Sequence, residues 1–479
     1  MWKTITAVCV HAVLLVGLII WFGRGEPPAL PDIAAPPSGE AGTETTPHDF
    51  KFTGELERDI TLRVLENDTA IKQGYFAELL EAFNAEYTGY GIIAIDANMD
   101  QYLDLENDGP YGYGPDVLYQ ANDMIMKHVE GHHIQPLPVE QLDCFSQIDA
   151  RAWQAYQDIN GIYYGVPVNV QAPVLYYRKD LLPENWETEW DKNKNGIPDM
   201  VENWVDLYRF SLQRREEGAY GYMKALYDVY FASGFLFSYG GYAFGNNGND
   251  AKDIGFAGGD AEKGAYVIKQ LASLMNEDCI DNTINNTQYS KIASGEYFCT
   301  VTTPDVYTMF VREMELVGVP VENLVIASVP MLPASGDLTD ADSELIPCVM
   351  MGGVNGYAIS SYTKYPNASL AFIDFATRYE MVMRRHEILG IVPARADAAQ
   401  ETGGLTLIVN EALAAGNLSI MPSIRQVAQI WTPMETLFSD IAKDAFRPAA
   451  QQKFVSLDDF KQALIESNQQ VYDAIWTLN

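Results

Sequence analysis

The stretch DITLRVLENDTAIKQGYFAELLEAF, from Asp59 to Phe83, carries two hydrophobic periods in succession. Ile60, Leu62 and Val64 alternate every second residue, the pattern of a strand with one buried face. Phe76, Leu79, Leu80 and Phe83 then fall at i, i+3, i+4 and i+7, one apolar stripe of a helix. The same alternation continues outward. An apolar run at Val117 to Tyr119 follows the turn-rich Asp108 to Pro115, and Ile268, Leu271, Ala272 and Met275 repeat the helical stripe. Strands alternating with helices over this length predict an α/β class with largely parallel sheets. In such sheets ligands meet the loops at the carboxyl ends of strands, which points to Glu66 to Asp68 and Gln120 to Asp123.

The chain has 479 residues, 48% hydrophobic and 20% charged, enough for two or three folded domains and unlike a polytopic membrane protein. Its 31 Lys and Arg against 65 Asp and Glu leave a net charge of −34, spread along the sequence. Such a surface repels phosphate backbones and lacks a polybasic patch for anionic lipid, which argues against nucleic acid and peripheral lipid as partners of the body. Cys9, Cys144, Cys279, Cys299 and Cys348 show no CxxC pair. The last four could form disulfides or pack as small apolar side chains.

Ile5 to Phe22 is apolar apart from His11 and spans about 27 Å as a helix, close to a hydrocarbon core. The run ends in Trp21, Phe22, Gly23 and Arg24 without a small-residue cleavage site or a following Cys. Residues 1–24 are therefore expected to be an uncleaved signal anchor, or else a signal peptide, placing the body outside the cytoplasm and tied to the membrane by its N-terminal helix. Residues 25–57, rich in Pro, Gly, Ser and Thr, are expected to be an extended linker.

DKNKNGIPDMVE, residues 191–202, fits the pattern D-x-[DN]-x-[DN]-G-x5-E. A hard cation with about seven ligands needs oxygens at alternate positions of a tightly curled loop. Asp191, Asn193 and Asn195 would offer side-chain oxygens, Ile197 its carbonyl, Asp199 a direct or water-mediated contact, and Glu202 both carboxylate oxygens, while Gly196 permits the turn. The expectation is a structural Ca2+. The alternative is a polar surface turn, which uses the same residue types. A helix is expected from Asn203 to Arg215.

Several separated blocks carry a family resemblance. They are GPDVLYQAND (Gly114 to Asp123), Tyr164-Gly-Val-Pro167, LYYRKDLLP (Leu175 to Pro183), Gly240-Gly-Tyr-Ala-Phe244 with Asp253-Ile-Gly255, Ser294-Gly-Glu296, and Ile420-Met-Pro422 running to Trp431. In this order the chain resembles the maltose/maltodextrin-binding, family 1 extracellular solute-binding proteins of ABC importers, from about Asp59 to the C-terminus. The resemblance implies a two-lobed α/β fold of the type II periplasmic-binding-protein, maltose-binding-protein-like kind. Its N-lobe would comprise residues 58–169 plus 355–402 and its C-lobe 174–351 plus 405–479, with the calcium-like loop as an insertion. Hinge crossings would lie near Val168 to Pro173, Gly352 to Gly356 and Glu401 to Leu407.

Carried over by position, Asp123 matches a sugar-bonding Asp, Tyr230 a stacking tyrosine and Trp431 the principal stacking tryptophan. Sugars offer C–H faces to aromatic rings and hydroxyls to carboxylates and amides, so the residue types suit that role. Gln171 and Asp228 stand where the family has Glu. Gln120 replaces a Trp, Met124 an Arg, Asp305 a Trp with Tyr307 two residues on, and Glu435 an Arg, which leaves the identity of the sugar open. Asp68 is placed in the site on a weaker correspondence. Each has a structural alternative: Trp431 as core, Tyr230 as helix packing, Asp123 as a helix N-cap, and Gln171 and Asp228 as surface residues.

The resulting expectation is a binding protein, not an enzyme. As a monomer, it would close on a carbohydrate, an oligosaccharide in the family's manner, and present it to the membrane subunits of an ABC importer. A membrane-anchored sugar sensor or adhesin of the same fold, and a glycoside hydrolase using two carboxylates, are the alternatives.

Overall fold

The computed structural model describes residues 52–476 apart from 101, 102, 104 and 278–283. The expected anchor, most of the expected linker and Cys279 lie outside the described residues. Among those described, no helix is long and apolar enough to cross a membrane.

The opening stretch folds as its periods require. Strand Ile60–Leu65 buries Leu62, Val64 and Leu65, and helix Tyr75–Tyr87 buries Phe76, Leu79 and Phe83. This strand pairs in parallel with Ile92–Asp96 on one side and Val117–Ala121 on the other. The full sheet runs Val392–Pro393, Val166–Gln171, Met350–Ile359, Val117–Ala121, Ile60–Leu65, Ile92–Asp96, with Leu418–Ile420 paired to the first end of Met350–Ile359. A second sheet is ordered Tyr220–Met223, Tyr297–Thr302, Val174–Arg178, Leu324–Ala327. The expectation of largely parallel sheets is wrong for this chain. Met350–Ile359 lies antiparallel to both its long neighbours, and Val174–Arg178 is antiparallel to both of its own. Met350–Ile359 enters its sheet in the sense opposite to Val117–Ala121 and Val166–Gln171, and hydrophobic periodicity does not encode direction.

Val166–Gln171 leads directly from one sheet to the other, and Met350–Ile359, a member of the first sheet, abuts helix Val229–Phe237 at its first end. Val166–Gln171 is followed, after Ala172 and Pro173, by Val174–Arg178 in the other sheet. Met350–Ile359 holds Leu418–Ile420 at one end and Val117–Ala121 at the other. A further turn occurs at Gly403 and Gly404, both with positive φ, between helices Ala396–Thr402 and Gly404–Ala415.

The end of the expected linker is docked instead of extended. Asn367 Oδ1 accepts from the N–H groups of Thr53 and Gly54, and the Glu57 carboxylate accepts from Asn367 and Ala368 at the start of helix Pro366–Ala376. A carboxylate there satisfies free N–H groups and the helix dipole together. The described cysteines, Cys144, Cys299 and Cys348, are free and buried.

One carboxylate ties the end of helix Trp431–Asp444 to the segment that follows it and to helix Ala261–Ser273. Asp444, fully buried, accepts from Lys269 Nζ at 3.0 Å, Arg447 Nη1 at 2.7 Å and the backbone N–H groups of Lys453 and Phe454 at 2.9 and 3.1 Å. Burial alone would raise its pKa, but the two backbone bonds and then the Lys269 and Arg447 bonds hold it down at about 2. An unfolded Asp titrates near 3.9, so this contribution is complete above about pH 4 and is lost as the pH falls toward 2. Asp444→Asn is expected to remove about 2–3 kcal/mol of that pH dependence. Urea midpoints measured from pH 2 to 5 test it, and parallel curves for the two proteins would refute it.

Candidate ligand-binding site

The site grows from the carboxyl end of strand Val117–Ala121. Helix Asn122–Glu130 starts immediately after it, with Ala121 as the cap residue and no side-chain capping bond. Asp123 is therefore in the first helical turn and is not the N-cap. Burial pushes its carboxyl above the usual carboxylate range, against the pull of the backbone N–H groups of Met124 and of Asp123 itself. Asn122 is fully buried. It donates to Met421 O at 3.0 Å and Ser423 Oγ at 2.8 Å and accepts from Val354 N at 3.2 Å, joining the helix start to the crossing strand and to the loop after Leu418–Ile420.

From the second sheet, Asp228 caps helix Val229–Phe237 by accepting from Tyr230 N at 3.1 Å, which fixes Tyr230 one residue inside the helix. The Tyr230 hydroxyl lies 3.4 Å from Gln171 O. A Cβ at Gly353, the register partner of Gln171, would sit 3.9 Å from that hydroxyl and 4.0 Å from Asn122 Oδ1. Tyr230, Gln171 and the head of the Asp123 helix thus meet over a glycine in the crossing strand. Burial pushes the Tyr230 hydroxyl far up, and Asp305, Asp228 and Asp123 add to the rise in that order.

The remaining expected residues attach to this cluster through Asp228 and Asp305. Burial raises the Asp228 carboxyl, Lys224 opposes that, and Glu435 adds to it. Glu435 is one turn beyond Trp431, which opens helix Trp431–Asp444 half-buried, so the two share a face. Asp305 and Tyr307 flank the Tyr176 hydroxyl, which is 3.3 Å from Pro304 O and is raised by burial, then by Asp305 and Tyr307. Gln120 is buried; its carbonyl is 3.1 Å from the Tyr156 hydroxyl, whose pKa is raised by burial, then by Tyr119 and Asp123.

Asp68 is not drawn in by any of these contacts. It starts the short helix Asp68–Lys72 and pairs with Lys72 at 2.5 Å on an exposed surface. Its neighbour Glu66 is buried instead, in a bidentate pair with Arg385 at 2.6 and 3.0 Å. Lys224, absent from the expected residues, is buried at 4% exposure with Nζ 3.4 Å from the centroid of the Phe231 ring. Burial pushes its ammonium down to about 8, with Asp228 and then Asp305 pulling upward. A lysine in the otherwise uncharged run Tyr220 to Leu226 is the signal that would have exposed it.

A crevice of 810 Å3 lies along the crossing segments, bordered by Gln157, Asp158, Tyr242, Asn246, Met351 and Pro422 among others. None of the ten expected ligand residues lines it.

The 191–202 loop curls as its pattern requires. The Asp191 carboxylate accepts from the N–H groups of Asn195 and Gly196, Asn193 Oδ1 from Asn195 N, and Asn195 Oδ1 from Ile197 N. Gly196 has φ +80°, the left-handed conformation the turn needs. The Glu202 carboxylate accepts from the amides of Asn193 at 3.0 Å and Asn195 at 2.6 Å, and Asp199 from Lys192 N at 3.3 and 3.4 Å. Among the described residues no three His, Cys, Asp or Glu side chains are gathered closely enough to hold a metal by themselves. A cation here would therefore depend on the amide oxygens and the Ile197 carbonyl as well as the carboxylates. The expected helix follows as Trp204–Glu216, capped by Asn203.

Two lobes, each with its own mixed sheet, joined by crossing strands at which polar and aromatic side chains converge, define the architecture of a solute-binding protein. Residues 78–407 match the family model for bacterial extracellular solute-binding proteins, and the chain belongs to that family. Maltodextrin-binding protein MdxE of Bacillus subtilis (strain 168) is 26% identical over 355 residues, covering 73% of this chain and 78% of its own. The galactooligosaccharide-binding protein of the same organism is 26% identical over 357 residues, covering 71% and 75%. The structure of MalX from Streptococcus pneumoniae in complex with maltopentaose superposes with a TM-score of 0.66 at 21% identity, covering 86% of this chain and 99% of that one. The fold is thus maltose-binding-protein-like.

Proposed function

We propose that this protein captures an oligosaccharide between its lobes and presents it to an ABC importer. The observation that carries the reading is the convergence of Asp123, Tyr230, Gln171, Asp228 and Asp305, drawn from both lobes, at the Gly353 crossing strand. Carboxylates and amides bond sugar hydroxyls, and the rings of Tyr230 and Trp431 take the C–H faces. Ligand that touches both lobes only when they are together favours the closed state by its differential affinity. Relatives named for maltodextrin and galactooligosaccharide binding support the same class of ligand. No reaction on the sugar is required.

The test is thermal unfolding against maltooligosaccharides and galactooligosaccharides, followed by analysis of the recovered sugar. A rise in Tm with intact sugar is expected. New reducing ends would favour the hydrolase, and no shift with any sugar of the panel would overturn the reading. Attachment of the body to the outer face of the membrane through residues 1–24 belongs to this proposal. It rests on the apolar run Ile5 to Phe22.

A structural calcium in the 191–202 loop is the second part of the proposal, supported by the match at all five specified positions of the pattern and by the curled loop. Asp191, Asn193, Asn195, the Ile197 carbonyl, Asp199 and Glu202 would hold it and gain from its charge what the Asn–Glu202 bonds now supply. Chelator is expected to lower Tm by about 5 °C relative to millimolar calcium, without changing which sugar binds. Equal melting points in calcium and chelator would refute the site.

A further inference from the structure

Burial and charge around Tyr230 do not balance. Asp123, Asp228 and Asp305 all bear on its hydroxyl, and Glu435 bears on Asp228. The cation facing this group is Lys224, and it makes no ion pair within 4.0 Å among the described residues. Its ammonium rests on the Phe231 ring while Asp228 and Asp305 act on it from a distance. Asp305 Oδ1 is likewise buried without a hydrogen-bond partner among the described residues. Buried polar atoms in native proteins have partners, and a buried ammonium together with the unpartnered Asp305 Oδ1 leaves room for a group that bonds to them. Three carboxylates, Asp123, Asp228 and Asp305, stand against one ammonium here, with the exposed Glu435 adding negative charge from outside.

A neutral sugar would satisfy the hydrogen bonds and leave the charge uncompensated. Two substitutions relative to the family pattern act in the same direction, since Met124 and Glu435 stand where the resemblance places arginines. We propose that the oligosaccharide taken by this site carries protonated amines, as an oligomer of 2-amino-2-deoxyhexose does, with one ammonium seated among Asp123, Asp228 and Asp305. Lys224 then holds Asp228 in its charged form and the amine takes up the remaining carboxylates. The inference rests on the oligosaccharide reading above and narrows its ligand class.

Isothermal titration at pH 6 and physiological salt compares β-1,4-linked glucosamine trimer, its fully N-acetylated form and cellotriose, which share a backbone and differ at the 2-position. Maltotriose and a galactooligosaccharide are titrated alongside. The amine trimer is expected to bind at least tenfold tighter than every neutral sugar, and Asp305→Asn to lower that ratio about tenfold. Equal or tighter binding of any neutral sugar overturns the amine while leaving the oligosaccharide function standing. Binding by no sugar in either group overturns both. A ratio unchanged in Asp305→Asn, with the variant's melting point intact, also overturns the proposed seat of the ammonium.

Discussion

Arg385→Met is expected to cost about 3–5 kcal/mol of stability, because it leaves the Glu66 carboxylate charged and buried without a counter-ion. The pair is 1% exposed on each side and bidentate, at 2.6 and 3.0 Å. The guanidinium lies 4.0 Å from the Tyr119 ring centroid and 4.9 Å from that of Tyr75, and Nη1 is 3.1 Å from the Tyr357 hydroxyl, which itself bonds Glu66. Burial pushes the Tyr75 and Tyr357 hydroxyls up, so both remain neutral partners of the ion pair. The effect reaches the loop at the end of the first strand. Glu66 Oε2 accepts from Asn67 N, and Asn67 caps the helix that begins at Asp68. Adding Glu66→Gln to Arg385→Met removes the stranded charge and is expected to recover at least half of the loss. Urea unfolding of the single and double variants is the measurement; a single-variant loss below about 1 kcal/mol would mean that the buried charge is compensated elsewhere.

Trp431→Ala is expected to abolish the thermal stabilisation that a matched sugar gives, a loss of about 2–4 kcal/mol in binding, the usual range for truncating an aromatic anchor. Trp431 begins its helix half-buried, and Glu435, one turn further on along the same helix, acts on Asp228. Trp431→Phe keeps a face for the C–H groups and is expected to retain part of the gain. Titration of the same sugar into the three proteins decides the matter, and undiminished affinity in the alanine variant would remove Trp431 from the site.

Much of this molecule could be read before its fold was known. Ile60, Leu62 and Val64 declared a strand and Phe76, Leu79 and Phe83 a helix, since each period needs only local geometry. The solute-binding family was legible in the order of the short blocks from Gly114 to Trp431, and the family match over 78–407 agrees with it. Strand direction was not legible. Whether Met350–Ile359 runs with or against Val117–Ala121 depends on where the chain has been in between, and no residue of either strand records that.

The site divides along the same line. The family resemblance of the short blocks placed Asp123, Tyr230 and Asp228, residue types able to bond a sugar, and the loop pattern at 191–202 follows from residue spacing alone. Only the tertiary structure separated Asp68, held by Lys72 at the surface, from Glu66 two residues earlier, buried against Arg385. Only it brought Lys224 within electrostatic reach of Asp305, and Asn122 against Met421 and Ser423. Covalent neighbours and their periods are written in the chain. Burial and charge compensation depend on segments hundreds of residues apart, and they come into being when the two sheets and their crossing strands pack together.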